Sequence, residues 1–326
     1  MIENILKSKD GRLGLVWRIL LFFVITILLT SLIQMLGFLA TEVFLAAKGF
    51  AVEDFLQFNE NYYRTSALIS SGAMLIGSLV SGYILLSKDG RGFSALGFYV
   101  HRVSLIETFT GLGFGILLGL VVVILMVLSG GLSWHQEPGV WSDWFIQGGA
   151  ALIFLALPAA AEEAFLRGYP LQALAEFFGP AWAIFVTSVV FGFLHISNPG
   201  LTGIAMLNLI SAGILLGVVY IRTGSLWWAT GAHLGWNWAH GYIADVPVSG
   251  LELMDAPFYE AVSLGPDWLG GGVFGPEGSL IATFIILLTA TVLWLSPWLT
   301  PSVQAVSAKP LWLVTQDEDS KTEFQY

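Results

Sequence analysis

The sequence predicts an all-α fold, in which a polytopic membrane protein forms a bundle of about eight transmembrane helices. Its composition suits a bilayer, because 56% of the residues are hydrophobic and only 11% are charged, whereas soluble domains carry about 25% charged residues. Its apolar runs also approach or exceed the roughly 20 residues that a helix needs to cross the hydrocarbon core. We therefore expect residues 1–326 to form a single integral-membrane domain.

Each apolar run corresponds to one predicted span. The first is too long for the apolar part of a signal peptide and predicts an uncleaved anchor. The fourth is longer than a span needs and contains Pro158 and Pro170, so we expect a kink or break in it. The fifth is short and ends at Asn198-Pro199-Gly200, which breaks helices. The runs fall at about 14–41, 65–87, 104–130, 144–177, 181–196, 203–221, 225–244 and 278–298.

The charged residues between the runs predict the orientation. Lys and Arg concentrate in cytoplasmic loops. The connection at 245–277 has six acidic residues and no Lys or Arg, and we expect it to be an acidic, glycine-rich external loop, either a cover or a solvated connector. The prediction is a multi-pass protein of the plasma membrane with both termini in the cytoplasm. The basic residues lie before run 1, between runs 2 and 3, and between runs 6 and 7 (Lys7, Lys9, Arg12; Lys88, Arg91, Arg102; Arg222).

Composition and small residues narrow the possibilities further. The formal net charge of −10 argues against a nucleic-acid partner, which requires a basic surface. The chain has no cysteine, which rules out disulfides, a thiol nucleophile and a Cys-ligated metal. Small residues recur in the second and sixth runs, where we expect close helix packing (Ser70, Gly72, Gly77, Ser81, Gly82; Gly203, Ser211, Gly213, Gly217).

Three ionisable residues stand inside the fourth run, where they are costly. Glu162, Glu163 and Arg167 fall within six positions, and each charged group at bilayer depth costs at least about 2.5–3.5 kcal/mol. The i,i+4 spacing puts Glu163 and Arg167 on one helix face, where an ion pair offsets part of this cost. Glu162 is turned by about 100° and faces a different partner. Such residues are expected to have a function.

Two more polar groups reach the same depth from other runs. Glu162, His195 and Asn237 each lie roughly 20 Å from the predicted cytoplasmic end of their segment, at 1.5 Å per residue. His233 and Asn237 are again i,i+4 and present an imidazole beside a carboxamide. A carboxylate and an imidazole that share a water, together with neutral donors for an oxyanion, are the components of a hydrolase.

These residues resemble the signature of the CPBP family of intramembrane proteases, which includes the eukaryotic CAAX prenyl endopeptidase and many bacterial relatives. The family's three boxes are Glu-Glu-x-x-x-Arg, Phe-x-x-x-His and His-x-x-x-Asn or Asp. They occur here in that order and span the predicted catalytic core at 144–244. The sequence reads Glu162-Glu163-Ala-Phe-Leu-Arg167, Phe191-Gly-Phe-Leu-His195 and His233-Leu-Gly-Trp-Asn237.

The resemblance implies a role for each residue. Glu162 with His195 would activate the catalytic water, and Glu163 with Arg167 would orient and support Glu162. His233 and Asn237 would line the oxyanion hole. The family has been described both as metalloproteases and as metal-independent glutamate proteases. We favour no metal and no other cofactor.

Zinc bound by Glu162, His195 and His233 is the alternative on the metal question. The carboxamide next to His233 is a poor zinc ligand, and Arg167 adds positive charge nearby, which is why we favour the metal-free reading. The expected partners are the lipid bilayer and a membrane-associated protein or lipidated peptide as substrate. Whether the substrate is prenylated is left open, because only part of the family uses such substrates.

Other functions compete with this prediction. A proton- or ion-coupled transporter would use the same Glu and His side chains as a relay, although transporters tend to show repeats in both halves. A membrane scaffold with a degenerate site is a third reading, and each box alone has a structural explanation as an ion pair or as interhelical hydrogen bonding. Motifs of other intramembrane proteases are missing: there is no His-Glu-x-x-His and no Gly-x-Ser-Gly, and no Asp falls inside a run.

Overall fold

The computed structural model describes residues 13–49 and 59–314. Lys7, Lys9 and Arg12, on which part of the orientation prediction rests, lie outside the described residues, as does the chain after residue 314. Within the described part the protein is almost entirely helical, with one small two-stranded sheet. The prediction of an all-α polytopic membrane protein is confirmed.

Helices form at all eight of the predicted apolar runs. The fourth run is one long helical rod, in which α4 (Trp141–Glu163) continues through a π-helical turn (Ala164–Gly168) into α5 (Pro170–Phe178). The helix passes through Pro158 and changes geometry just before Pro170, because proline removes a backbone donor and suits the first turn of a helix. The others are α1 (Leu15–Ala47), α2 (Asn59–Lys88), α3 (Arg102–Leu128), α6 (Pro180–Leu194), α7 (Gly203–Thr223), α8 (Leu226–Trp238) and α10 (Leu280–Leu295).

The lengths of these helices suit a bilayer. Among the described residues, five helical stretches are long and apolar enough to cross a membrane (Leu15–Ala47, Tyr63–Lys88, Arg102–Leu128, Trp141–Phe178 and Gly203–Thr223). The helices α6 and α10 are apolar but shorter. Large apolar side chains on α1, such as Leu28 and Val43, are more than half exposed, as expected for a surface that faces lipid.

The tightest helix pair, α3 with α8, fixes the frame on which the site is built. A methyl group at Gly111 would overlap the carbonyl of Trp228, and one at Gly235 would overlap the carbonyl of Leu112. Small residues let two helix backbones approach this closely. Residue numbers rise together along the contact, since Gly111 meets Trp228 and Gly119 meets Ala239. The two helices therefore run parallel, as expected for helices that form at the third and the seventh predicted runs.

Polar contacts join helix ends that lie on one side of the bundle. Arg18 of α1 pairs with Asp89, just after α2, at 3.1 Å and with Glu176 of α5 at 2.7 Å. Arg222 of α7 donates to the carbonyl of Ser296, just after α10, at 2.5 Å. These ends share one side, as an alternating eight-span path requires. Which side faces the cytoplasm stays a prediction.

The opposite end is covered by a short antiparallel sheet. Its strands are β1 (Leu132–Gln136), which follows α3, and β2 (Tyr259–Ser263), which lies within the 245–277 connection. The same connection contains a one-turn helix, α9 (Asp267–Gly270), and two 3₁₀ turns (Gly272–Phe274 and Pro276–Gly278). This connection folds back over the helix ends.

At the end of the bundle where Arg18 and Arg222 lie, the core also includes the residues after α10. Gln172 is fully buried and donates to the carbonyl of Ala95 at 2.9 Å and to the hydroxyl of Tyr220 at 2.8 Å. Its carbonyl oxygen accepts from the backbone of Leu311 at 2.9 Å. Two short helices, α11 (Val303–Ser307) and α12 (Leu311–Val314), are packed here. Every polar atom of the Gln172 side chain is thus used to join separate segments.

Candidate active site

The two glutamates stand at the last residues of α4, immediately before the helix changes to π geometry. The π turn begins at Ala164 and contains Arg167, and π turns inside helices occur often at functional sites. The guanidinium of Arg167 still reaches back to Glu163, with Nη1 3.1 Å from Oε1. Both side chains are fully buried. The spacing predicted this ion pair, and the structure contains it.

Glu163 also holds His233 of α8. Its Oε1 lies 3.0 Å from Nδ1 of the imidazole, so one carboxylate oxygen serves both Arg167 and His233. Arg167 donates to the carbonyl of Gly213 at 3.1 Å and lies 4.8 Å above the ring of Phe191. A buried ion pair is tolerated when such additional partners are present. The resemblance implied that Glu163 supports Glu162, whereas the contact in the structure is with His233.

Glu162 faces the other edge of the same imidazole. Its Oε2 is 3.9 Å from Nε2 of His233. A quarter of the Glu162 side chain is exposed, and this Oε2 has no hydrogen-bond partner among the described residues. A buried carboxylate oxygen without a partner is costly and normally serves a function. Oε2 of Glu163 also lacks a partner among the described residues, but Glu163 is enclosed and its Oε1 is paired, whereas Glu162 is partly exposed and lines the cavity.

His195 is held by the end of its own helix. It follows the last residue of α6, and its Nδ1 is 2.8 Å from the carbonyl of Phe191. Because a carbonyl only accepts, Nδ1 carries the proton and Nε2 is left as an acceptor. The ring of Phe191 lies 4.8 Å from that of His195 and 6.0 Å from that of His233. Phe191 is thus the apolar centre of the site. The sequence identified it only as the first residue of the Phe-x-x-x-His box.

These side chains share a cavity of about 190 Å³ inside the helix bundle. Glu162, His195, His233 and Asn237 all line it. Glu163 and Arg167 are not among the lining residues and lie behind His233. The rest of the wall is mostly apolar and comes from several helices, as is usual for a ligand cavity. The six predicted site residues are therefore brought together from α4, the π turn, α6 and α8.

The 245–277 connection lines the cavity at the end of the bundle that the β1–β2 sheet covers. Ser249, Leu251 and Glu277 belong to this connection and line the cavity. Residues 274–279 are all buried, so this part of the connection is not a solvated loop. Sequence reasoning counted Glu277 only as one of the loop's acids. Its Gly-Pro-Glu-Gly setting signals a tight turn but gives no indication of what the turn carries.

The zinc alternative rests on Glu162, His195 and His233, which all line the cavity. Among the described residues, no three His, Asp or Glu side chains are grouped as a bound metal ion would require. Nδ1 of His233 contacts Glu163 and Nδ1 of His195 contacts a backbone carbonyl, so each ring has its Nε2 left for a ligand. Glu162, His195 and His233 share the cavity without the close three-ligand geometry of zinc.

Comparison with known proteins fits this geometry. Residues 144–239 match the family model described as type II CAAX prenyl endopeptidase Rce1-like, and all six predicted site residues fall within that segment. An uncharacterised protein of Bacillus subtilis (strain 168), YyaK, is 33% identical over 92 residues, which are 27% of this chain and 31% of the relative. The chain thus matches less than a third of that relative's length. No solved structure matches. The resemblance to the CPBP and CAAX protease family is confirmed over residues 144–239.

Proposed function

We propose that this membrane protein is an intramembrane endopeptidase that hydrolyses a peptide bond of a membrane-associated protein. The observation that carries the proposal is the shared cavity within the bundle. Three separate segments supply its polar wall, with Glu162 from α4, His195 after α6, and His233 and Asn237 from α8. The Rce1-like match supports a protease of the CAAX type in general.

In the proposed reaction Glu162 is the general base. Its unpartnered Oε2 takes a proton from a water that is also hydrogen-bonded to Nε2 of His195. The water oxygen forms a bond to the carbonyl carbon of the peptide, and the carbonyl oxygen becomes an oxyanion. Glu162 then returns the proton to the amide nitrogen, the C–N bond breaks, and an acid and an amine result. Atoms and charge balance without a further reactant.

His233 and Asn237 would stabilise the oxyanion. In this proposal Nδ1–H of His233 donates to Glu163 at 3.0 Å, and Nε2, which lies 3.9 Å from Glu162 Oε2 at the cavity, donates to the oxyanion when it is protonated. The Asn237 carboxamide supplies a second donor from the adjacent helical turn. Such fixed donors act strongly in a site shielded from water, because they need no reorganisation when charge develops. Arg167 and Glu163 position His233 from behind and do not touch the substrate.

The substrate is proposed to be a lipidated or membrane-embedded polypeptide segment. The cavity lies among apolar helices, and its walls include Phe114, Phe154 and Leu209. Such walls accept apolar chains, and prenylation of the substrate is one form of this chemistry. We further propose that the protein resides in the plasma membrane with both termini in the cytoplasm. Single cysteines at Ser87 and Ser263, which are both exposed, should then react with impermeant probes from opposite sides.

The proposal is tested by cleavage of a hydrophobic peptide, with and without a prenyl group, by the purified protein in lipid discs. Glu162→Gln keeps the shape of the side chain and removes the base, so turnover should fall by about 10²–10⁴-fold. Glu252→Gln, on the exposed part of the 245–277 connection, is the matched control and should remain active. Equal cleavage by Glu162→Gln and wild type would contradict the assignment. Glu162-dependent proton uptake without cleavage would favour the transporter.

A further inference from the structure

We infer that Glu277 is a positioning residue for the proposed reaction: it fixes the two segments that carry Asn237 and His195. The inference rests on the proposed function and extends it to a residue outside the three boxes. Glu277 lies in the 3₁₀ turn Pro276–Gly278 that precedes α10, about 40 residues beyond the last box. It is 5% exposed and lines the same cavity as Glu162.

The carboxylate of Glu277 is the centre of a hydrogen-bond network. Its Oε1 accepts from the indole Nε1–H of Trp236 at 2.9 Å. Its Oε2 accepts from the backbone N–H of Ser249 at 2.8 Å and from the Ser249 hydroxyl at 2.6 Å. Bonds to an ionised acceptor are stronger and more directional than neutral ones. One buried side chain therefore joins α8 to the 245–277 connection.

Trp236 is the neighbour of Asn237 on α8, close to the point where the geometry of the helix changes. The helix changes to π geometry at Ala239–Ile243, only two residues after Asn237. A π turn widens the helix and shifts the angular positions of its side chains. The bond from Glu277 fixes the indole of Trp236, and with it the rotation of the helical turn that presents Asn237 to the cavity.

The second branch of the network reaches the His195 segment through Ser249. Ser249 has a left-handed backbone with φ of 49°, a conformation that is strained in a non-glycine residue. It persists because the Glu277 carboxylate holds its N–H and O–H. Its carbonyl accepts from Asn198 Nδ2 at 2.8 Å, and Asn198 lies three residues after His195.

The backbone on both sides of Glu277 is held by close contacts with neighbouring segments. Gly275 has φ of 82°, and a methyl group there would overlap the carbonyl of Pro247. A methyl group at Gly278 would overlap the carbonyl of Gly271. Asn208 of α7 donates to the backbone carbonyls of Glu277 at 2.7 Å and Ser279 at 2.8 Å. Glycine allows these close backbone approaches, so the turn is fixed on both sides of the glutamate.

The inference predicts a loss of turnover rather than of substrate binding. A displacement of about 1 Å in a catalytic group can cost on the order of 10²-fold in rate. Glu277→Ala should therefore lower kcat by about 10–100-fold, with KM nearly unchanged. Glu277→Gln keeps an acceptor for Trp236 and should recover part of the loss. Trp236→Phe keeps the Glu277 charge and removes only the donor, and it should lower kcat as Glu277→Ala does.

The experiment measures kcat and KM for these variants with the cleaved hydrophobic peptide in lipid discs, together with the double variant Glu277→Ala/Trp236→Phe. Because both residues act through one bond, the double variant should be no slower than the slower single variant. Glu252→Ala, at an exposed acidic residue of the same connection, is the control and should leave kcat unchanged. Should Glu277→Ala fail to fold, Trp236→Phe and Glu277→Gln decide the matter.

Any of these results would overturn the inference alone: wild-type kcat in Trp236→Phe, losses that multiply in the double variant, or a rise in KM without a change in kcat. Equal losses in Glu277→Gln and Glu277→Ala would also overturn it, because they would show that charge rather than hydrogen bonding matters. Failure of the proposed function appears differently, as cleavage that does not depend on Glu162.

Discussion

Replacing Arg167 by methionine tests whether the buried charges behind His233 act as one unit. The guanidinium is fully buried, pairs with Glu163 at 3.1 Å and bonds the carbonyl of Gly213 at 3.1 Å. Removing it leaves a buried carboxylate whose one remaining partner, among the residues that the structure describes, is His233. Breaking a buried pair from one side costs about 3–5 kcal/mol, and the remaining imidazole puts the expected loss at the lower end, about 3 kcal/mol.

The magnitude can be read as a shift in the unfolding midpoint. At roughly 2 °C per kcal/mol for a large domain, Arg167→Met should lower the midpoint by roughly 6 °C and reduce the folded yield. The double variant Glu163→Gln/Arg167→Met removes both charges and keeps an amide oxygen for His233. It should recover most of the loss, because neutralising a buried pair altogether is often close to neutral.

The assay is thermal unfolding in detergent, followed by size-exclusion chromatography and intrinsic tryptophan fluorescence. Arg102→Met is the matched control, since Arg102 is exposed at the start of α3, and it should shift the midpoint by no more than about 1 °C, as surface substitutions do. A double variant as unstable as Arg167→Met would refute the reasoning, because the cost would then come from lost packing and not from an unpaired carboxylate.

Three further predictions follow from the site and its cover. Asn237→Ala removes one oxyanion donor and should lower kcat by about 10²–10³-fold, measured with the same peptide; unchanged turnover would exclude that role. Activity should survive exhaustive chelation, whereas stoichiometric zinc, with loss on chelation and recovery on adding it back, would make Glu162, His195 and His233 ligands. Burial raises the pKa of Asp245 from 3.8 to about 6, so the folded state binds more protons than the unfolded state in that interval, and stability falls as pH rises through it. Asp245→Asn keeps the acceptor for the Ala256 N–H at 3.0 Å and should stabilise the protein at pH 7 by about 1 kcal/mol, a value discounted for partial exposure, but not below pH 3.8; an equal effect at both pH values would contradict the prediction.

The sequence was informative where a pattern is local. Each of the eight apolar runs predicted a helix that the structure contains, and the i,i+4 spacing predicted the Glu163–Arg167 pair. The small residues of the sixth run also pack closely as expected, with Gly213 against Ser188 and Gly217 against Ile184. Each of these features depends on helix geometry alone, which the sequence determines directly.

The features that were missed depend on contacts between distant segments. The parallel α3–α8 pair uses Gly111 and Gly235, yet spacing cannot say which two helices meet. The π turns after Glu163 and Trp238 are set by packing and not by propensity. Glu277 belongs to an acidic connection that reads as solvated, and only the folded chain reveals its bond to Trp236. That His233 lies between both glutamates likewise required the structure.

The central claim is that Glu162 is the base of a peptide hydrolase, and one comparison tests it most directly. Wild type and Glu162→Gln are incubated with the same hydrophobic peptide in lipid discs, and the new amine and acid termini are quantified by mass spectrometry. The two proteins should have matching unfolding midpoints, since Glu162 Oε2 has no hydrogen-bond partner to lose within the described part of the chain. The account predicts a single cleavage site in wild type and a loss of about 10²–10⁴-fold or more in the variant. Cleavage at the wild-type rate by a folded Glu162→Gln protein would contradict it.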